Sequence, residues 1–249
     1  MSGTTLVDQT YWDASYADMR PSMAPTGDAV RNWIEREVPR AQGERHALEI
    51  GCFPGRYLTV IGTLGYVVHG IDLTPAVERM KPALDAMGLN TGDFSHADFL
   101  LHTPKRHYDL VCSFGFIEHF RDWRGMIERH ADLVAPGGML VLETPNFRGW
   151  VQWLLHRTLD ATNLRRHHLA AMQPQEWARM LRERGFEIVS HGYLGSFDFW
   201  SDSPPPNAVQ RMLHRLLRVT GPWLRRREPG SAALSPYCVL IARKPHTAA

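Results

Sequence analysis

The feature that most constrains this chain is short. An apolar run enters a glycine turn and leaves it as a helix, in Leu48-Glu-Ile-Gly-Cys-Phe-Pro-Gly-Arg56. Gly51 and Gly55 permit a tight turn and let the backbone approach a ligand closely. A helix opening after such a turn offers free N–H groups to a polar or anionic ligand. The same strand-to-helix alternation continues along the chain. Ala47–Ile50, Val67–Ile71, Phe94–Asp98, Asp109–Ser113, Met139–Glu143 and Phe186–His191 read as strands, and Tyr237–Arg243 as the last one. Helices are predicted over Arg56–Leu64, Pro75–Ala86, Trp123–Leu133 and Gln173–Arg184, the last closed by Gly185. This alternation predicts an α/β fold, a doubly wound and mostly parallel sheet covered on both faces. Such sheets bind ligands beyond the carboxyl ends of their strands.

A chain of 249 residues fits a single domain, 1–249. Residues 1–40 read as an N-terminal helical cap. An aromatic helix over residues 8–20 is ended by Pro21 and Pro25, and a second helix, Asp28–Val38, is capped by Thr26 or Asp28. Two segments break the alternation, 147–172 and 196–234, and read as inserts on the substrate side. Cys52, Cys112 and Cys238 are scattered and odd in number, so neither a disulfide framework nor a zinc spacing follows, and a cytoplasmic location is expected. The polar segment Met1–Gln9 gives no sign of a secretory signal. No stretch is apolar for long enough to insert stably in a membrane.

Acids stand at the strand ends. Asp72 ends the second strand at the spacing where a carboxylate accepts hydrogen bonds from ribose hydroxyls. Asp98 precedes Phe99, a pair suited to holding an adenine amino group and stacking on its ring. The three-glycine dinucleotide fingerprint is absent, which disfavours a nicotinamide-linked reductase.

Together these residues resemble the class I S-adenosylmethionine-dependent methyltransferases, in the small-molecule subgroup, from about Tyr11 to Arg243. The resemblance implies a Rossmann-like, seven-stranded sheet whose last strand, Tyr237–Arg243, is antiparallel. It implies S-adenosyl-L-methionine as cofactor. The nucleotide loop maps on Glu49, Gly51, Cys52, Phe53 and Gly55, the ribose acid on Asp72 beside Leu73, and the adenine pair on Asp98 and Phe99. The fourth motif maps on Tyr108–Phe120, which brings in Ser113 and Phe114. Arg56 and the aromatic helix with Tyr11, Trp12 and Tyr16 resemble the parts that close over the methionine end. Phe53 departs from the pattern, since the family usually has glycine there, and a side chain at that position crowds the methionine portion or shifts the turn.

Methyl transfer from a sulfonium is an in-line displacement, so the protein aligns a nucleophile and removes a proton where needed. His119, in the loop holding Glu118, is a candidate general base because histidine titrates near neutrality. His167 and His168 are further candidates, by resemblance to a histidine that precedes a helix start in related small-molecule enzymes. Asn146 is a candidate for the pocket wall. None of the 13 histidines falls in a recognised ligand spacing, and no required metal is predicted.

The basic stretch 208–227 places Met212, Leu213, Leu216 and Leu217 on one helical face. It reads foremost as a helix packed on the sheet or on a second subunit, with peripheral membrane contact or a lid over an acidic substrate as alternatives. A homodimer is open. The net charge of +2 gives no basis for nucleic-acid binding. The expected function is methyl transfer to an oxygen or nitrogen of a small-molecule acceptor, such as a secondary metabolite, sugar or quinone-like compound. The alternative is a cofactor-binding pseudoenzyme or non-catalytic partner subunit, a possibility raised by Phe53.

Overall fold

A computed structural model describes residues 5–103, 106–201, 207–224 and 230–246. Two helices, α1 (Gln9–Tyr16) and α2 (Ala29–Glu37), precede the first strand, β1 (His46–Ile50). Then follow α3 (Leu58–Thr63), β2 (Val67–Asp72), α4 (Met80–Ala86), β3 (Thr91–His96), β4 (Tyr108–Phe114), α5 (Trp123–Asp132) and β5 (Val134–Pro145). The first insert forms α6 (Trp150–Leu159) and α7 (Ala161–Arg165), and α8 (Pro174–Glu183) leads into β6 (Glu187–Leu194). The second insert carries α9 (Ala208–Leu224), and β7 (Tyr237–Arg243) closes the sheet.

The seven strands form one sheet in the order β3-β2-β1-β4-β5-β7-β6. The pairings from β3 through β5 are parallel, and β7 runs antiparallel to both β5 and β6. Strands covered on both faces read as continuous apolar runs, and β1, β4 and β5 are buried along most of their length. One core layer gathers Trp123 of α5 and Trp177 of α8 with Phe147. The other gathers Trp33 and Ile34 of α2 with Leu58 of α3 and Met80 of α4. The strand order reverses between β1 and β4, so the crevice for a ligand lies beyond the carboxyl ends of that pair.

Several expected boundaries shift for local reasons. Helix α2 is capped by Asp28, whose carboxylate accepts from the N–H groups of Val30 and Arg31. The aromatic helix stops at Tyr16, well before Pro21, because the Arg79 guanidinium takes the carbonyls of Tyr16, Ala17 and Met19. The predicted helix Pro75–Ala86 divides into a 3-10 turn, Pro75–Arg79, and α4, with Pro82 in the first turn of α4 where a missing N–H is tolerated. Strand β3 ends at His96, so Asp98 lies past it and caps a turn through the N–H of Leu100. The strand expected at Met139–Glu143 starts earlier, at Val134, and takes in Pro136, Gly137 and Gly138 at a register shift against β4, with Gly137 at φ +78°.

Helix α9 departs from the sheet-packed alternative. It is not laid on the sheet with its apolar face inward. Val209, Met212, Leu216, Val219 and Trp223 are exposed, Leu213 and Leu217 of the expected face are half-buried, and α9 packs against α6. The Pro-Pro-Pro run at 204–206 and the arginines at 225–227 lie outside the described residues. Among the described residues, no helix is long and apolar enough to cross a membrane.

Candidate active site

The glycine loop forms as its residue types require. Gly51 and Gly55 adopt φ +72° and +77°, a region that side chains disfavour. The N–H groups of Gly51 and Cys52 both donate to the Ile71 carbonyl, which ties the loop to β2. The Phe53 N–H donates to Oδ2 of Asp72, and Oδ1 of Asp72 accepts from Thr74. Asp72 therefore holds the loop in shape, and each oxygen keeps a further lone pair for a ligand hydroxyl.

Glu49 is buried beside Asp72, and its Oε2 has no hydrogen-bond partner. Burial, reinforced by the Asp72 charge, pushes its carboxyl well above the usual range. The hydroxyl of Ser113, at the end of β4, is likewise buried and unpartnered. An orphaned acid, an orphaned hydroxyl and a glycine turn around one crevice fit a ligand rich in hydroxyl and amino groups. Phe99 forms an aromatic floor with Phe116 and His130. The Phe116 ring lies against Gly51, where an added Cβ would stand 2.5 Å from it.

Phe53 is buried rather than projecting into the crevice. Its ring meets Tyr16 edge-on at 5.2 Å and lies under the Arg79 guanidinium at 4.9 Å. Tyr16 stacks on Trp12, and Trp12 meets the His119 ring edge-on at 5.0 Å. Tyr11 lies under the Arg166 guanidinium at 3.7 Å. The aromatic helix thus spans from the glycine loop to the loop after β4, and Phe53 and Arg79 anchor it on the glycine-loop side.

The loop after β4 meets the first insert. The His119 Nδ1 lies 2.9 Å from the Arg166 carbonyl, and the His167 Nδ1 lies 2.8 Å from the Asn163 carbonyl. Carbonyls only accept, so both rings carry the proton on Nδ1 and present a lone pair at Nε2. The two rings stand 4.7 Å apart. Glu118 is fully buried, neither carboxyl oxygen has a hydrogen-bond partner, and its Oε1 is 3.8 Å from the His119 Nε2. One ligand atom from each of Glu118, His119 and His167 lies within 4.8 Å of the others. Burial pushes Glu118 up to about 8 and His119 down to about 4. Burial and then the neighbouring His119 hold His167 well below its ordinary value. Phe147 packs on His167 and His156, and Trp200 joins them as an aromatic wall.

Other expected residues go elsewhere. The Cys52 side chain enters the core against Gly70, leaving only its backbone in the loop. Arg56 is half-exposed and reaches Oδ2 of Asp28 at 3.3 Å. Leu73 is exposed, and Phe114 packs on Tyr57. His168 donates its backbone N–H to the Glu118 carbonyl, and its side chain is not in the Glu118 group. Asn146 is buried with its amide engaged by the chain itself. Its amide donates to the carbonyls of Ala232 and Ser235 and accepts from Gly149, so it clamps the second insert. Sequence reasoning missed Arg79 and Phe147, and it met Phe116 and Arg166 only inside longer motifs. The cues were basic and aromatic residues beside turns, but their partners are distant in the chain.

Residues 24–191 match the family model described as a methyltransferase domain. That match covers more than half of the chain, so the chain belongs to this family. The class it belongs to is that of S-adenosylmethionine-dependent methyltransferases, as the motifs imply. A ubiquinone biosynthesis O-methyltransferase of Leptothrix cholodnii is 28% identical over 72% of this chain and 78% of its own length. A second, from Burkholderia ambifaria, is 30% identical over 69% and 66%. A trans-aconitate 2-methyltransferase of Methylobacterium radiotolerans is 29% identical, over 42% of this chain and 40% of its own length. In fold, the chain is similar to the N-methyltransferase NodS from Bradyrhizobium japonicum WM9, solved in complex with S-adenosyl-L-homocysteine. That comparison has a TM-score of 0.57 at 16% identity and covers 97% of this chain and 95% of the other.

Proposed function

We propose that this chain transfers a methyl group to a hydroxyl oxygen of a small, ring-bearing molecule. The observation that carries the reading is the Glu118–His119–His167 group, buried under Trp12 and walled by Phe147 and Trp200. A polar cluster set in aromatic walls suits a flat acceptor with one oxygen to position. The names of the relatives above favour oxygen over nitrogen as the methylated atom. S-adenosylmethionine, when bound, supplies an electrophilic methyl group on a sulfonium.

Asp72 and the glycine loop bind and orient the donor's nucleoside end, with Glu49 and Ser113 supplying further polar contacts. Trp12 and Tyr16 exclude water from the methyl-transfer line. Neutral His119 and His167 present lone pairs at Nε2 toward the acceptor, which orients its hydroxyl oxygen on the methyl carbon. Calorimetry with S-adenosylhomocysteine tests the donor half of this reading, with micromolar binding expected. Incubation with methyl-labelled donor and a panel of phenols, sugars and amines tests the acceptor half. Label on amines alone would overturn the assignment to oxygen.

A further inference from the structure

We propose that Glu118, His119 and His167 form a binding site for a divalent transition-metal cation, to which the acceptor's hydroxyl oxygen coordinates. The acceptor part rests on the methyltransferase reading above, whereas the cation site stands on its own geometry. Two imidazoles and one carboxylate are a ligand set for zinc, iron or cobalt, and three protein ligands leave positions open for a substrate oxygen. The imidazoles are set as metal-binding histidines are. Each Nδ1–H is fixed to a backbone carbonyl, Arg166 for His119 and Asn163 for His167, which orients Nε2 and keeps its lone pair free.

Glu118 supplies the second, independent observation. Its carboxyl is fully buried, both oxygens lack a hydrogen-bond partner, and Oε1 faces the His119 Nε2 at 3.8 Å. A buried carboxyl without donors costs free energy unless a cation or proton compensates it. Ligand atoms around such a cation sit about 3 to 3.5 Å from one another, given metal–ligand bonds near 2.1 Å. The three atoms already lie within 4.8 Å, so side-chain rotation of about an ångström completes the set.

The cation answers a chemical difficulty. An alcohol or phenol oxygen is a poor nucleophile while it keeps its proton. Coordination lowers the pKa of the acceptor hydroxyl, as it does that of bound water. The hydroxyl proton leaves to solvent water, and the oxygen attacks the methyl carbon. The carbon–sulfur bond breaks with its electron pair passing to sulfur, which gives the thioether product.

The test uses the full chain, stripped with a chelator and titrated separately with zinc and cobalt chloride. One-to-one binding by calorimetry, and visible cobalt absorption of low-coordinate character, are the expected results. Glu118→Gln and His167→Gln should each weaken zinc binding by more than about a hundredfold, since loss of even an outer partner costs about 10- to 100-fold. S-adenosylhomocysteine binding is measured on every variant and should stay within about twofold of the parent, which also reports folding. Absence of zinc and cobalt binding by a chain that binds S-adenosylhomocysteine overturns the cation site alone. Zinc binding unchanged in both variants places the ion on other histidines and overturns it as well. Zinc binding that depends on Glu118 and His167, in a chain that binds no S-adenosylhomocysteine, upholds the cation site and defeats the methyltransferase reading instead.

Discussion

The two halves of the crevice are finished to different degrees. On the cofactor side, the carboxylates of Asp72 and Asp98 each accept backbone N–H groups, so their positions are fixed by the turns they hold. On the acceptor side, both oxygens of Glu118, both nitrogens of His156 and the Nδ1 of His168 are buried without hydrogen-bond partners. A half whose strand-end acids are already bonded to backbone N–H groups is preorganised for one ligand. A half with unsatisfied groups carries strain that a ligand or ion relieves on binding. The cofactor side keeps unpartnered groups as well, the Glu49 Oε2, the Ser113 hydroxyl and the His130 Nε2, but they are fewer than on the acceptor side.

The largest expected effect probes whether the cofactor side is as settled as this contrast says. His130 lies beneath its aromatic floor with Nδ1 bonded to the Met126 carbonyl and Nε2 unpartnered. Burial holds it down to about 4. An unfolded histidine protonates near 6.5, so between these values the unfolded chain binds more protons and stability falls as pH falls. His130→Phe should remove up to about 3 kcal/mol of the loss between pH 6.5 and 4, read from urea unfolding at each pH. An unchanged slope would mean that the ring is not buried as described.

Next in size is the acceptor side itself. Glu118→Gln or His167→Ala should lower kcat by more than about a hundredfold while the affinity for S-adenosylhomocysteine stays within about twofold. A matching loss of affinity would erase the distinction between the halves. Asp72→Ala should act in the opposite sense. It is expected to weaken cofactor binding by more than about tenfold in calorimetry, and to lower kcat less at saturating donor. The smallest effect concerns the helix joining the halves. Arg79→Met removes the guanidinium from Phe53 and from the end of α1, and should weaken cofactor binding about fivefold with little change in kcat.

What was legible in the sequence follows the same division. The sheet, its parallel order and the positions of Gly51, Gly55 and Asp72 were readable because each rests on local spacing: a strand end, a turn and an acid beside it. The antiparallel β7 came only by resemblance, since nothing in Tyr237–Arg243 states which neighbours it meets. His119 and His167 were named singly, but their meeting depends on a contact between His119 and the Arg166 carbonyl across 47 positions. No periodicity reports that. The clamp made by Asn146 was not legible because its partners, Ala232 and Ser235, lie in a distant insert. The apolar face of α9 was recognised as a face, yet a pattern cannot say whether anything covers it.

The place of β7 bears on how the chain is made. This strand lies between β5 and β6 and is hydrogen-bonded to both, although it follows them in the sequence. While the polypeptide emerges from the ribosome, β6 has no neighbour within its own sheet until Tyr237–Arg243 has cleared the exit tunnel. Helix α8 is the element that holds it in the meantime, through its packing against β6. A chain cut before Tyr237 would leave β5 and β6 each with an open edge, a form prone to pairing with its own kind.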